Sequence, residues 1–209
     1  NWLSIDDLEA RDFKGTLYSE GNIVFETASD LRTELAIRLS DFPVRQEGAL
    51  VSTLTGRLRL RADIDPERTR SELQVVDLRV NLPNQLAGGL QDLDPHPDVF
   101  VVGEEPPPRP ENPYLFELRF LSLDPPFRVL RTGLSAEVLA DLTVRYQDPT
   151  LTIAGNAELK RGDIDLYGKR FELRESRMAF DGSDELDPLV NIYAVHKVGG
   201  DEIGVRVDG

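Results

Sequence analysis

The sequence predicts an all-β fold, a long antiparallel sheet with no significant helix. Three observations lead to this prediction. Apolar and polar residues alternate along many segments, which is the period of a strand with one apolar and one wet face. Turn residues such as Gly, Pro, Asp and Asn separate these segments at short intervals, which favours antiparallel neighbours. No segment has the apolar spacing of a convincing amphipathic helix.

The clearest strand signal covers residues 134–146. All seven even-numbered residues, from Leu134 to Tyr146, are apolar, and the odd-numbered residues are polar except for Leu139. At ~3.3 Å per residue this strand is about 40 Å long, well beyond an average strand. We therefore expect a broad amphipathic sheet.

The N-terminal part begins with a weak segment, residues 1–8, whose large anchor is Trp2. Residues 16–25 follow, divided by a turn at 20–22. Alternation then predicts a strand over 31–39, closed by 41–43 and 46–48, and another over 50–64.

Residues 65–67 form a predicted turn before a strand over 72–82, which Pro83 ends. The apolar parity of this strand slips by one between Val75 and Val76. A one-residue slip would turn every later side chain to the wrong face, so the sequence predicts a β-bulge there.

Residues 84–113 are a Pro-rich, acidic insertion with one short apolar run at 99–102. Its composition predicts an extended loop rather than sheet. Strands of the same kind resume at 114–123, before Pro125 and Pro126. We therefore expect a single domain over 1–209, interrupted by this insertion.

The last third is predicted to contain strands at 150–160, 164–167, 171–173 and 189–195. Turns are predicted at 161–163, 181–182 and 199–200, and Ile203, Val205 and Val207 alternate at the end. The whole chain then has roughly a dozen strands.

Charge and cysteine content narrow the function classes. The net charge of −14 and the pI of about 4.6 argue against nucleic acid as a partner, because phosphate neutralisation requires clustered cations. With no cysteine, disulfides and thiolate metal sites are excluded. The chain starts at Asn1, so we expect a fragment of a larger protein whose membrane anchor lies elsewhere.

Candidate catalytic groups are sparse, so we expect no enzyme. His96 lies between prolines and His196 ends a strand, and both are more often surface residues than general bases. Asp163 and Asp165 would share one sheet face, as an acid–base pair would, but such a pair is usually a wet face. The tripeptide at 161–163 resembles an adhesion motif and is interpreted as a turn.

Candidate metal and anion sites are also weak, so we expect no metal and no cofactor. The acids of the insertion suit a hard cation, although a solvated loop is the commoner explanation. Residues 181–187 lack the Gly and Glu of a calcium loop. Arg57, Arg59 and Arg61 form a stripe that we interpret as a solvated face crossing neighbouring carboxylates. The insertion acids are Asp92, Asp94, Asp98, Glu104 and Glu105.

The C-terminal sequence resembles the C-terminal domain of the TamB family. The resemblance is dense over 150–209: an Arg-Gly pair at 161–162, Gly168 before Phe171-Glu-Leu173, Phe180-Asp-Gly182, Pro188-Leu189 in a strand reaching Ala194, and Val205-Arg-Val-Asp-Gly209. Upstream it is looser, through 42–43, 54–56, 77–83 and 98–102. Each motif is weak alone, but their order and spacing are fairly specific.

The resemblance implies a sheet curled into a half-pipe (a β-taco) with an apolar concave face. It implies a periplasmic domain of a protein anchored in the inner membrane outside this sequence. The implied partners are phospholipid acyl chains, an outer-membrane BamA-like barrel protein such as TamA, and outer-membrane protein clients. The implied roles are phospholipid movement between the membranes and support of outer-membrane protein assembly.

Three hypotheses remain open at this stage. The first is a lipid conduit along a hydrophobic groove. The second is a chaperone or scaffold that captures unfolded strands of outer-membrane proteins without lipid transport. The third is an inert module with a dry core, because alternating strands usually close into a sandwich or barrel. The candidate groove residues are Leu35, Ile37, Leu39, Leu58, Leu60, Leu78, Val80, Phe116, Leu118, Phe120, Leu134, Val138, Leu142, Val144, Ile153, Phe171, Leu173, Phe180 and Ile192.

Overall fold

The computed structural model describes residues 2–12, 14–27, 29–46, 48–84, 113–184 and 187–209. Every regular element in these ranges is a β-strand, and they contain no helix, which confirms the predicted all-β class. The strands are β1 (Trp2–Asp12), β2 (Gly15–Phe25), β3 (Leu31–Gln46), β4 (Ala49–Ile64), β5 (Arg68–Asn81), β6 (Leu115–Arg131), β7 (Leu134–Gln147), β8 (Thr150–Leu166), β9 (Lys169–Asp181), β10 (Leu189–Val198) and β11 (Asp201–Asp208).

All eleven strands form one sheet in which the spatial order equals the chain order, β1 to β11. Each neighbouring pair is antiparallel except β5 and β6, which are parallel. The prediction of an entirely antiparallel sheet is therefore wrong at this joint. The reason is the long connection, residues 82–114, which returns the chain to Leu115 beside Arg68 at the start of β5. A tight turn cannot make that return, whereas a crossover of a dozen or more residues can.

The predicted bulge in β5 is confirmed. Arg57 of β4 pairs with Asp77, but the next residue, Leu58, pairs with Val75, which leaves Val76 as the extra residue. Because the extra residue absorbs the slip in parity, Val75 and Leu78 both stay on the apolar side of the strand. The sequence pattern thus located this bulge to the residue.

Similar irregularities lie in the middle third of six strands. Besides β5, they occur in β1, β3, β6, β8 and β9, where the registers shift around residues 6–7, 40–41, 123–126, 160 and 175–176. Asp41 and Glu175 adopt positive φ angles of 45° and 46° there. Since a bulge bends its strand and increases the local twist, the sheet has a band of bends running across its strands.

Two predicted turns are wrong. Residues 20–22 lie inside β2, and residues 161–163 lie inside β8, which runs without interruption to Leu166. The glycines in these segments mark close backbone approach rather than chain reversal. A Cβ on Gly21 would overlap the Glu34 carbonyl oxygen, and one on Gly162 would lie 2.5 Å from the Ser135 carbonyl oxygen.

Other boundaries also differ from the predictions. β3 continues through Asp41 and Pro43 to Gln46, and β6 continues past Pro125 and Pro126 to Arg131. A bulge in each strand accommodates the turn-like residues, so the chain bends there without leaving the sheet. The turn at 65–67 and the chain reversal at 199–200 are confirmed. The run at 99–102, His96 and the insertion acids lie outside the described residues.

Candidate functional site: the apolar face

One face of the sheet is apolar across the whole set of strands. The residues on this face can be identified through successive cross-strand partners, because paired residues project to the same side of the sheet. Ile37 pairs with Leu58, Leu58 with Val75, Val75 with Ser122, and Ser122 with Ala140. We call the side that carries this row the apolar face, and the opposite side the charged face.

The register places all nineteen candidate groove residues on the apolar face. They belong to rows that cross the sheet like the one above. In β7, for example, Val138 faces Phe127 and Leu159, and Leu142 faces Phe120 and Gly155. Whether these residues contact a ligand stays a prediction, but the alternation in the sequence did identify one common surface.

The apolar face is only partly covered. Four of the nineteen candidates, Leu39, Leu58, Leu78 and Leu173, are buried, whereas the other fifteen are half-buried or exposed. The described residues form a single sheet, with no second sheet paired to it. In a closed sandwich, inward-facing side chains of two sheets interdigitate into a dry core. The partial exposure is instead typical of an open surface.

The centre of this surface lies on β3 to β6. Leu39, Leu58, Val75 and Leu78 form a buried cluster, against which half-buried side chains pack. Two of these, Phe120 and Phe127, meet edge to face with ring centroids 5.9 Å apart, on either side of the irregular segment of β6. The cluster stabilises this part of the sheet.

The apolar face extends to both outermost strands, which the candidate residues did not include. On β1 it carries Leu3 and Leu8, and on β11 it carries Ile203, Val205 and Val207, with exposed fractions from 41% to 53%. The alternation of the last three was visible in the sequence and could have placed them in the groove. A large contiguous apolar surface is unusual for a monomer and is typical of interaction sites.

The charged face is covered by ion pairs between neighbouring strands. Arg32 pairs with Asp63, Arg61 with Glu34, Arg57 with Asp77, Arg119 with Asp141 and Arg161 with Glu137, at 2.5 to 2.9 Å. Two arginines of the stripe in β4 thus meet carboxylates as the sequence suggested. Because each pair is exposed, each adds little stability. Together they give the sheet a hydrated side and distinguish its two faces.

The least exposed carboxylate of these ion pairs is that of Glu117, on β6. It lies between Arg145 and Arg70, at 2.7 and 3.2 Å, and its side chain is 19% exposed. The hydrogen bond from Arg145, with the nearby charge of Arg70, holds the pKa of Glu117 below its usual value. This carboxylate therefore joins β5, β6 and β7 on the charged face.

Two hydroxyl groups are buried in the apolar face without a hydrogen-bond partner. They are Ser19 Oγ and Ser122 Oγ, in a sheet where the equally buried Ser71 Oγ donates to the Glu117 carbonyl oxygen at 3.2 Å. An unpaired buried hydroxyl destabilises the fold relative to a methyl group. The side chains of Ser122, Ala140 and Ala157 are small and lie in one row, so the apolar face is recessed there.

The residues weighed as catalytic or metal-binding candidates are engaged structurally. His196 Nδ1 lies 2.7 Å from the Arg170 carbonyl oxygen, and its ring packs on Phe171. Asp163 accepts a hydrogen bond of 2.8 Å from Arg170, which lowers the pKa of its carboxyl group. Among the described residues, no three His, Cys, Asp or Glu side chains are grouped as a metal site.

Comparison with known proteins agrees with this surface. The family model for the TamB C-terminal domain matches residues 6–209, nearly the entire chain. No curated protein matches the sequence. Within the described ranges, none of the regular elements is a helix able to cross a membrane.

Proposed function

Because the chain belongs to the TamB C-terminal domain family, which implies a role in envelope biogenesis, we propose that its apolar face binds phospholipid acyl chains and conducts them between the inner and outer membranes. The observation that carries the proposal is the half-covered apolar face across all eleven strands. The domain acts in the periplasm as part of a protein anchored in the inner membrane. It performs no catalysis.

The size of the apolar face suits an acyl chain. Eleven strands have ten spacings of about 4.8 Å, so the face extends about 48 Å across the strands. Each buried CH₂ contributes ~0.8 kcal/mol, so a chain of 16 carbons gains on the order of 10 kcal/mol before ordering costs. Burial of the acyl chain also covers apolar surface that water would otherwise contact.

The band of bends supports a half-pipe shape. Bulges in the middle third of six strands let both ends of each strand turn towards the apolar side. The apolar face is then the concave lining, and the charged face is the outside. A lipid in such a groove keeps its acyl chains inside and leaves its headgroup at the opening.

Movement along the groove requires no bound energy source in this domain. The rows of apolar residues run from strand to strand, so a lipid displaced by one strand exchanges its contacts for similar ones. The free-energy differences between neighbouring positions are therefore small. Direction is set by the membranes and by other parts of the envelope machinery, including an outer-membrane BamA-like barrel protein such as TamA.

A second function is favoured by the two outermost strands. β1 and β11 each have one side without a strand partner among the described residues. Unpaired strand edges can accept another strand by β-augmentation. The alternative is therefore a chaperone or scaffold that captures strands of outer-membrane proteins. Support of outer-membrane protein assembly is expected whether the domain conducts lipid or captures protein strands.

Site-specific photocrosslinking distinguishes the two occupants. A photoreactive residue at position 138, on the apolar face, is expected to capture phospholipid in cells, whereas one at Ser135, on the charged face of the same strand, is not. Native mass spectrometry of the purified domain should show bound phospholipid. If position 138 captures only protein strands, the chaperone is correct. If it captures neither and the purified domain carries no lipid, both proposals fail.

A further inference from the structure

Two arginines on the charged face oppose each other, and Glu137 of β7 lies opposite the second of them, Arg128, in the register. Arg79 of β5 and Arg128 of β6 are direct partners in the parallel register, and both are exposed. Neither makes an ion pair with another described residue, although twelve other described arginines pair with carboxylates. Like charges placed directly opposite each other destabilise a sheet. The register also opposes Arg38 and Arg57, but there Arg57 makes an ion pair with Asp77.

The two side chains line a cleft of about 370 Å³ on the charged face. One wall is formed by Pro125 and Pro126, which belong to the irregular part of β6. The carboxylates of Asp77 and Glu137 also line the cleft. The two arginines therefore share one open cleft with these carboxylates.

Both of these carboxylates are already neutralised by other arginines. Arg57 Nε donates to Asp77 at 2.6 Å, and Arg161 Nε and Nη2 donate to Glu137 at 2.5 and 3.2 Å. Among the described residues, these two carboxylates therefore form their ion pairs with Arg57 and Arg161 rather than with Arg79 and Arg128. A third nearby carboxylate, that of Asp41, accepts a hydrogen bond of 3.0 Å from Thr55, which itself lines the cleft.

We infer that this cleft binds a phosphoryl group between Arg79 and Arg128. Two guanidinium groups side by side match the several acceptor oxygens and the charge of a phosphate. A bound phosphate would convert the repulsion between the arginines into attraction to a shared anion. The phosphate can be free, or it can be the headgroup of an anionic phospholipid at a membrane surface. The two arginines lie on the opposite face from the acyl-chain groove.

Thermal unfolding and phosphate titration test the site. At matched ionic strength, inorganic phosphate is expected to raise the Tm of the wild-type chain more than chloride does. Arg79→Gln and Arg128→Gln should each weaken phosphate binding by about tenfold or more, since each removes charge-assisted hydrogen bonds. Without phosphate, both variants should melt no lower than the wild type, because the repulsion is relieved.

The matched control is Arg61→Gln, which removes the same charge from the same face at an arginine paired with Glu34. It should leave phosphate affinity within about twofold of the wild type. Equal protection by phosphate and chloride, or an equal loss in Arg61→Gln, would overturn the inference. Either result would mean that phosphate acts only by general screening of charge.

Vesicle sedimentation separates the two sources of phosphate. The probes are vesicles of phosphatidylcholine alone and vesicles with about one-third phosphatidic acid. Co-sedimentation with the anionic vesicles that is lost in Arg79→Gln, but not in Arg61→Gln, assigns the site to headgroups. Phosphate protection without co-sedimentation assigns it to the free anion. If neither phosphate nor the anionic vesicles bind through Arg79, the inference is wrong.

Discussion

Gly155 of β8 lies directly opposite Leu142 of β7, and a Cβ added to Gly155 would lie 3.1 Å from the Leu142 Cα. The same atom would overlap the Asp141 carbonyl oxygen, and the φ angle of Gly155 is +122°. Leu142 and Phe180 flank this glycine on the apolar face. Two neighbouring strands of the candidate groove, β7 and β8, thus approach each other at a position where only glycine fits without displacement.

Gly155→Ala is therefore expected to lower the free energy of unfolding by about 2 to 4 kcal/mol, through backbone strain and steric overlap. Chemical denaturation followed by circular dichroism measures this loss. Gly200→Ala is the control, because nothing lies within 4 Å of a Cβ at that turn residue. A loss at Gly200 as large as at Gly155 would show that the close approach is not the cause.

Replacement of the unpaired hydroxyl at Ser122 should stabilise the protein. Ser122→Ala removes a buried oxygen that has no hydrogen-bond partner, so the free energy of unfolding should rise by about 1 kcal/mol. Ser71→Ala removes a hydroxyl that donates to Glu117 O and should lower it by a similar amount. Urea denaturation measures both changes. A gain in stability for Ser122→Ala together with a loss for Ser71→Ala supports this explanation, and a loss in both variants contradicts it.

Glu117→Gln should destabilise the protein in a pH-dependent manner. The folded-state pKa of Glu117 is lowered, so its ionised form stabilises the fold above the unfolded-state pKa of about 4.3. That stabilisation is lost as the pH falls through the lowered folded-state pKa. We expect Glu117→Gln to cost about 1 to 2 kcal/mol at neutral pH. The difference should shrink in acid.

Urea denaturation at neutral and acidic pH provides the measurement for Glu117. Glu34→Gln is a suitable comparison, because the Glu34 carboxylate is 62% exposed in its pair with Arg61. Glu34→Gln should lower the free energy of unfolding by no more than about 0.5 kcal/mol. A Glu117→Gln effect that is unchanged between neutral and acidic pH would falsify the electrostatic explanation.

Val138→Arg and Leu142→Arg should block lipid binding while the sheet stays folded. Both side chains are half-buried on the apolar face, so a long cationic side chain can reach solvent but leaves a charge beside the groove. Native mass spectrometry should show at least about a tenfold drop in bound phospholipid. The control, Ser135→Arg, places the same charge on the charged face of the same strand. Retained lipid in both apolar-face variants would exclude these positions from the path.

The sequence was informative where side-chain parity alone decides the structure. Alternation assigned Val138, Leu142 and the other candidates to one face, and a parity slip located the bulge at Val76. Glycine was ambiguous, because the same residue type serves a turn and a close approach. Gly21 and Gly162 were interpreted as turns, although neighbouring strands explain them. Parity also contains no information on strand direction, so the parallel pairing of β5 with β6 was missed.

The cleft between Arg79 and Arg128 was equally hidden in the sequence. The two arginines are far apart in the chain, and only the parallel register makes them neighbours. With antiparallel pairing at this joint, Arg79 would face a different residue of β6. The features that depend on long-range register were therefore beyond prediction from local patterns.

The one-after-another order of the strands has a consequence for how the sheet comes apart. Each strand relies on the strands beside it, so the structure behaves as a linear chain of coupled units, in which the ends are least protected. Opening should spread inwards from β1 and β11. Hairpins form from segments close in the chain, whereas the β5–β6 joint must first close a loop of more than thirty residues. We therefore expect the two halves, β1–β5 and β6–β11, to form first and to join last into one continuous surface.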